Sequence, residues 1–260
     1  MLNLNEIYCG NCADLLKQID DESIDMVLTS PPYDDLKNYE GYVFEFEKIV
    51  DELYRVLKKN RVVVWVVGDA TVDGSETGTS FKQALYFKEI GFNIHDTMIY
   101  EKNSSTFPAQ RGSNRYTQIF EFMFVFSKDK PKCNLLCDKE NRYAGSTSFD
   151  GKIPPVPDYS PRVNIWKYNT SFNDKNEHPA VFPDMLAIDH IKSWSECGDV
   201  ILDPMCGSGT SVKAAYELGR EYIGMDISSI YCNISRNRIK NTRPAIDQDM
   251  FVYKTTELVE

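Results

Sequence analysis

Residues 61 to 69 read RVVVWVVGD, six apolar side chains in a row, five of them β-branched valines. In a strand, successive side chains point to opposite faces, so this run is stable only where both faces of the sheet are covered. That requirement forces a layered fold with helices above and below. Shorter runs of the same kind recur in SIDMVLTS (23–30), DVILDP (199–204) and EYIGMDI (221–227). Helical periodicity lies between them. In VFEFEKIVDELYRVLKKN, Phe44, Phe46, Ile49, Val50, Leu53, Val56 and Leu57 recur at near-helical spacing, and Lys58 and Lys59 close the segment as cations suited to a negative helix end. FKQALYFKEIG, FPDMLAIDHIKSWS, SVKAAYELG and SIYCNISRNRIKN are further helical segments. Strands alternating with helices predict an α/β three-layer domain with a largely parallel sheet. With 260 residues and 42% apolar content, the chain has the material for one such core. From 129 to 176 the periodicity gives way to Pro, Gly, Ser, Tyr and Lys, which marks an irregular insertion.

Charge narrows the partners. The net charge is −10, yet residues 101–176 carry 12 basic and 8 acidic side chains, so a basic strip sits inside an acidic protein. Seven scattered cysteines are an odd number and exclude a complete disulfide framework. Cys9 and Cys12 with Cys133 and Cys137 make a poor zinc set, because the second spacing is loose and no histidine is near; no metal is expected. The opening MLNLNEIYCGNC has neither a basic nor an apolar leader region, and no window is apolar enough to span a bilayer, so a cytoplasmic location without membrane contact is expected.

Two strand ends carry chemistry. After VILD comes PMCGSGT: Asp203, Pro204, Cys206, Gly207, Ser208, Gly209 and Thr210 form a Gly-rich strand-to-helix turn, the place where doubly wound sheets bind ligands. No Lys follows the second glycine as in a P-loop, and the third glycine of a dinucleotide fingerprint is missing. Asp226 and Ile227 end the next strand about 20 residues on, where a carboxylate accepts hydrogen bonds from a ribose diol. A ribose without a pyrophosphate cradle fits S-adenosyl-L-methionine. Cys206 has no neighbouring base and reads as a filler of the turn rather than a nucleophile. The other end is TSPPY, where Ser30, Pro31, Pro32 and Tyr33 stop the strand, since neither proline can donate to a ladder.

TSPPY together with LDPMCGSGT resembles the amino-methyltransferases of DNA, which methylate an exocyclic nitrogen of cytosine or adenine. The order resembles their beta-type permutation: catalytic motif first, basic irregular segment in the middle, cofactor turn last. HPAVFP, with His178, Pro179, Ala180, Phe182 and Pro183, resembles the segment that embraces the methionine end of the cofactor. The resemblance implies a circularly permuted Rossmann-like fold with a mostly parallel seven-stranded sheet, whose last helix is followed in space by its first strand. It divides the chain into a catalytic half (1–128), a target-recognition insertion (129–176) and a cofactor-binding half (177–260). Asn11 joins the cofactor set although the family usually has an acidic residue there.

A conjugated amino group is a poor nucleophile until both its N–H bonds are held. Ser30 Oγ and the Pro31 carbonyl are suited to accept them, the proline ring fixing the carbonyl's direction. The target base must leave the duplex, and Tyr33 is suited to stack on it. Asp34 and Asp35 read as loop carboxylates, because a methylated amine sheds its proton without a strong base. Arg111, Arg115, Lys128, Lys130, Arg142 and Arg162 are the expected DNA contacts. Double-stranded DNA is the expected partner, a cognate restriction endonuclease is one the resemblance allows, and either a monomer or a homodimer is compatible. Serine at the first motif position favours cytosine N4, with adenine N6 as the alternative. A protein glutamine methyltransferase is opposed by the motif order, and a non-catalytic DNA-binding module leaves the cofactor turn unexplained.

Overall fold

A computed structural model describes residues 2–32, 44–103, 114–147, 154–169 and 183–244. The first half runs β1 (Glu6–Cys9), α1 (Cys12–Leu15), a single 3-10 turn (Leu16–Gln18), β2 (Ile24–Thr29), α2 (Phe46–Val56) and β3 (Leu57–Val67). A two-stranded ribbon, β4 (Thr71–Val72) with β5 (Ser75–Glu76), precedes α3 (Thr79–Ile90), β6 (Asn93–Lys102) and β7 (Phe120–Lys128). A second ribbon, β8 (Lys139–Glu140) with β9 (Tyr159–Ser160), leads to β10 (Ile165–Tyr168). The last part is α4 (Asp184–Trp194), β11 (Val200–Asp203), α5 (Thr210–Glu217), β12 (Glu221–Asp226) and α6 (Ser229–Lys240). Among the described residues no helix is long and apolar enough to cross a membrane.

The main sheet has eight strands in the order β1-β12-β11-β2-β3-β7-β6-β10. All neighbours are parallel except β3 with β7 and β7 with β6. The permutation is visible at one edge, where Ile7 lies opposite Gly224 and Cys9 opposite Asp226. The eighth strand is one more than the resemblance implies. It comes from the segment expected to be irregular: Ile165–Tyr168 adds in parallel to Ile99–Lys102 and buries Trp166 in the core.

The run at 62–67 meets the condition set by its sequence. Val62, Val64 and Val66 belong to one core cluster with Leu186 and Ile191 of α4 and Val212 of α5, while Val63, Trp65 and Val67 belong to a second with Ile49 and Leu53 of α2 and Phe87 of α3. All six side chains of the run are fully buried. One boundary differs from expectation. The helix ends at Val56, because Leu57 is drawn into the sheet opposite Ile24. Lys58 is therefore a strand residue, its Nζ 2.7 Å from buried Asp25, rather than part of a helix end.

From β11 the chain crosses to β12 through α5, and from β2 it crosses the other way to β3 through α2. The strand order reverses between β11 and β2, so the carboxyl ends of these two strands flank the crevice in which such sheets bind ligands.

Candidate active site

Both strand ends singled out in the sequence meet at this switch point. Thr29, the last residue of β2, donates from Oγ1 to Asp203 Oδ1 at 2.8 Å, across the β2–β11 seam. Ser30, Pro31 and Pro32 follow directly, Pro31 buried and the other two half-buried. Asp203 also accepts from the Met205 backbone N–H at 3.1 Å and from the Ser211 hydroxyl. Burial pushes its carboxyl up to about 6, while the donors from Ser211, Thr29 and Met205 work in the other direction. Tyr33, Asp34 and Asp35 lie outside the described residues.

The Gly-rich turn is held from beneath. Asp226 accepts the Gly207 N–H at 2.9 Å through one carboxylate oxygen and the Ser228 N–H at 2.8 Å through the other. Gly207 and Gly209 have φ of 51° and 84°, the left-handed region. At Gly209 a Cβ would overlap the Ser235 hydroxyl and stand 2.8 Å from Ser235 Cβ, so the turn lies directly on α6. Pro204, Cys206, Ser208 and Thr210 are buried around it, and Ile227 is exposed beyond Asp226. Burial pushes the Cys206 thiol well up, so it stays protonated at neutral pH, in line with a filler.

Asp226 is itself partly exposed, and burial raises its carboxyl, opposed by the Ser228 and Gly207 amides. An acceptor carboxylate at one strand end, with a backbone-only turn at the next, fits a ribose and a positively charged methionine end. Asn11 lies at this same edge but has local duties: its Oδ1 caps α1 through the Ala13 N–H at 2.9 Å, and its Nδ2 is 3.3 Å from Glu45 Oε2. Pro183 is buried at the start of α4. His178, Pro179, Ala180 and Phe182 lie outside the described residues.

Three residues at the site carried no readable signal. Arg238, on α6, donates from Nη1 to the Ser208 carbonyl at 2.9 Å, to Ser208 Oγ at 3.1 Å and to Thr210 Oγ1 at 3.2 Å. Its Nη2 reaches Asp184 Oδ1 at 3.3 Å, and Lys213 Nζ is 3.0 Å from Asp184 Oδ2. Charged residues on separate helices announce no such partnership in sequence.

The expected DNA contacts divide. Arg115 is bonded to the Gly74 carbonyl of the β4–β5 ribbon and lies 3.8 Å from Glu76, beside a fully exposed Tyr116. Arg142 is exposed on the insertion, over the Tyr143 ring. Lys128 and Lys130 are elsewhere. Lys128 pairs with Arg61, four residues before the Trp65 that faces Thr29, roughly 13 Å toward the opposite end of the sheet. Its ammonium is engaged by Glu22 at 3.0 Å and by the Tyr54 and Leu57 carbonyls at 3.2 and 3.0 Å. Lys130 lines a cleft at that far end with Asn60, His95 and Asp129. Arg162 is spent internally, 2.7 Å from Asp189, ion-paired with Asp138 and lying over the Trp166 ring. Lys128 and Lys130 thus stand away from the two strand ends, and Arg162 is engaged within the protein. Arg111 lies outside the described residues.

A family model described as DNA methylase, for N6 and N4 methyltransferases, matches residues 24–237. The orphan methyltransferase M.BamHII of Bacillus amyloliquefaciens is 52% identical over 246 residues, covering 86% of this chain and 92% of its own. Among solved structures, the cytosine-N4-specific PvuII DNA methyltransferase superposes with a TM-score of 0.69 at 22% identity, covering 91% of this chain and 90% of its own. The complex of M1.HpyAVI with S-adenosylmethionine gives 0.61 at 22% identity, covering 90% and 98%. The chain therefore belongs to the beta-type amino-methyltransferases of DNA, enzymes that take their methyl group from S-adenosyl-L-methionine.

Proposed function

We propose that the protein transfers the methyl group of S-adenosyl-L-methionine to the exocyclic N4 of cytosine at specific sites in double-stranded DNA, after flipping the base from the helix. The observation that carries this reading is the 2.8 Å hydrogen bond from Thr29 to Asp203, which ties the Ser30-Pro31-Pro32 end of β2 to the cofactor turn. Ser30 Oγ and the Pro31 carbonyl accept the two N–H bonds of the amino group, turning its lone pair toward the crevice. Pro31 and Pro32 hold that carbonyl without backbone freedom. Tyr33 stacks on the extruded base. The bound cofactor supplies an activated methyl: as the nitrogen–carbon bond forms, the carbon–sulfur pair returns to sulfur, and the nitrogen then releases one proton to solvent. No side chain is needed as a base. Asp203, Asp226 and the Gly207–Thr210 turn hold the cofactor, with Asn11 and the segment His178–Pro183 completing its pocket. Arg115 and Arg142, with Arg111, supply phosphate or base contacts, so binding weakens steeply with salt.

Serine rather than aspartate or asparagine at position 30 supports cytosine. The family model spans both bases, so the deciding experiment is direct. Varied duplex DNA is incubated with the protein and S-adenosylmethionine, digested to nucleosides and analysed by mass spectrometry. N4-methylcytosine is expected. N6-methyladenine alone would transfer the mechanism to adenine, and no methylated nucleoside would overturn the reading.

A further inference from the structure

We propose that Arg238 is a positioning residue for the cofactor, a guanidinium bridge that sets the Gly-rich turn against the start of α4. The inference rests on the assignment of that turn to S-adenosylmethionine and is independent of which base is methylated. One face of α6 grips the turn at two points: Ser235 seats Gly209, and Arg238, one helical turn on, gathers the Ser208 carbonyl, Ser208 Oγ and Thr210 Oγ1 onto a single nitrogen at 2.9, 3.1 and 3.2 Å. Its other terminal nitrogen points to Asp184 at 3.3 Å. Asp184 opens α4 directly after Pro183. Lys213 of α5 holds the second oxygen of the same carboxylate at 3.0 Å and also pairs with Glu217 at 2.9 Å.

Three helices, α4, α5 and α6, thus converge on one ion cluster beside the turn. Arg238 is nearly buried, its side chain 13% exposed, whereas Asp184 is 38% exposed. The Ser208 carbonyl is the lever. With the carbonyl drawn toward α6, the peptide that follows it is fixed, and so is the N–H of Gly209. Pulling Asp184 toward the other nitrogen of the same guanidinium sets where α4, and Pro183 before it, stand relative to that peptide. Lysine cannot take over this task, since its ammonium is a point charge without two divergent arms. Arg238 binds Ser208 and Thr210 of the turn and Asp184 of α4, so its effect falls on cofactor affinity and spares the methyl-transfer step.

The test compares Arg238→Met, Arg238→Lys, Asp184→Asn and the double variant Arg238→Met/Asp184→Asn with wild type. Calorimetry gives the Kd for S-adenosylmethionine, filter binding the Kd for duplex DNA, and initial rates the kcat at saturating cofactor. Losing charge-assisted bonds predicts that Arg238→Met weakens cofactor binding about tenfold or more, and Arg238→Lys about threefold. The kcat at saturating cofactor and the DNA Kd stay within about twofold, and the double variant is no worse than Arg238→Met because both act through one bridge. A cofactor Kd in Arg238→Met within twofold of wild type would overturn the proposal, as would parallel losses of cofactor and DNA binding. If Arg238→Met does not fold, an unchanged Kd in Arg238→Lys overturns it. A wild-type protein that binds no S-adenosylmethionine would instead remove the assignment of the turn.

Discussion

Replacing Gly209 by alanine tests the packing beneath the cofactor turn. Two costs can be worked out separately. The residue has φ of 84°, and a left-handed backbone costs an L residue about 1–2 kcal/mol. The new methyl would overlap the Ser235 hydroxyl and stand 2.8 Å from Ser235 Cβ and 3.2 Å from Ser235 Cα, so α6 must move; overpacking of this kind costs about 1–3 kcal/mol. The sum is about 2–5 kcal/mol. For a chain of this size that lowers Tm by roughly 5–15 °C. Ser235→Gly removes the first two obstacles, at a helix cost of about 1 kcal/mol, and leaves the Cα and the backbone strain in place. In a double-mutant cycle followed by circular dichroism, Gly209→Ala and Ser235→Gly should therefore rescue one another by about 1–3 kcal/mol. A Tm for Gly209→Ala within a degree of wild type, or strictly additive effects, would refute the account.

Three further outcomes follow from the same geometry. Ser30→Ala should abolish most turnover while leaving the calorimetric Kd for S-adenosylmethionine unchanged; equal activity would remove Ser30 from the mechanism. Asp203, held up to about 6 in the folded state, favours its protonated form there. Its contribution to stability is complete below the unfolded carboxylate range and lost as pH rises through about 6, a change of about 3 kcal/mol. Urea titrations between pH 4 and 7 should show that slope in wild type and a flatter one in Asp203→Asn. Asp25 is 2% exposed and binds Lys58 at 2.7 Å, Arg61 at 2.9 Å and the Val200 N–H at 3.0 Å. Asp25→Ala strands the Val200 N–H and leaves Arg61 with Asp199 alone, and should lower urea-measured stability by about 3 kcal/mol with little change in cofactor affinity.

The valine run at 62–67 and the turn at 203–210 were legible because each is local: a side-chain period of two, and glycines placed where backbone must be bare. Lys58 misled because two lysines after an apolar period look like a helix end, while the deciding fact is a partner strand holding Leu57. The ion pairs of Lys128 and Arg162 were hidden for a related reason. Formal charge is visible in a sequence, but the Glu22, Asp138 and Asp189 that absorb it come from distant positions. The four residues of β10 are too few to show a period, and their strand character comes from the edge of β6 that receives them. The β4–β5 ribbon had a readable cue in Asp73-Gly74, whose φ of 48° and 78° make the tight turn, hidden within a stretch rich in Gly and Thr. Arg238 had none.

The seam between β2 and β11 also orders events on the ribosome. Thr29 and Asp203 are separated by 174 positions, and the strand that carries Asp203 lies between β2 and β12. At about 5–20 residues per second, β2 waits roughly 10–35 s for that neighbour. During this interval β3 can cover one side of β2, while the other side offers an unpaired strand edge of the kind that invites chaperones or aggregation. The nascent chain thus bears the Ser30-Pro31-Pro32 end of β2 long before the Gly-rich turn exists, and the sheet closes only when β11 and then β12 fill the gap between β2 and β1.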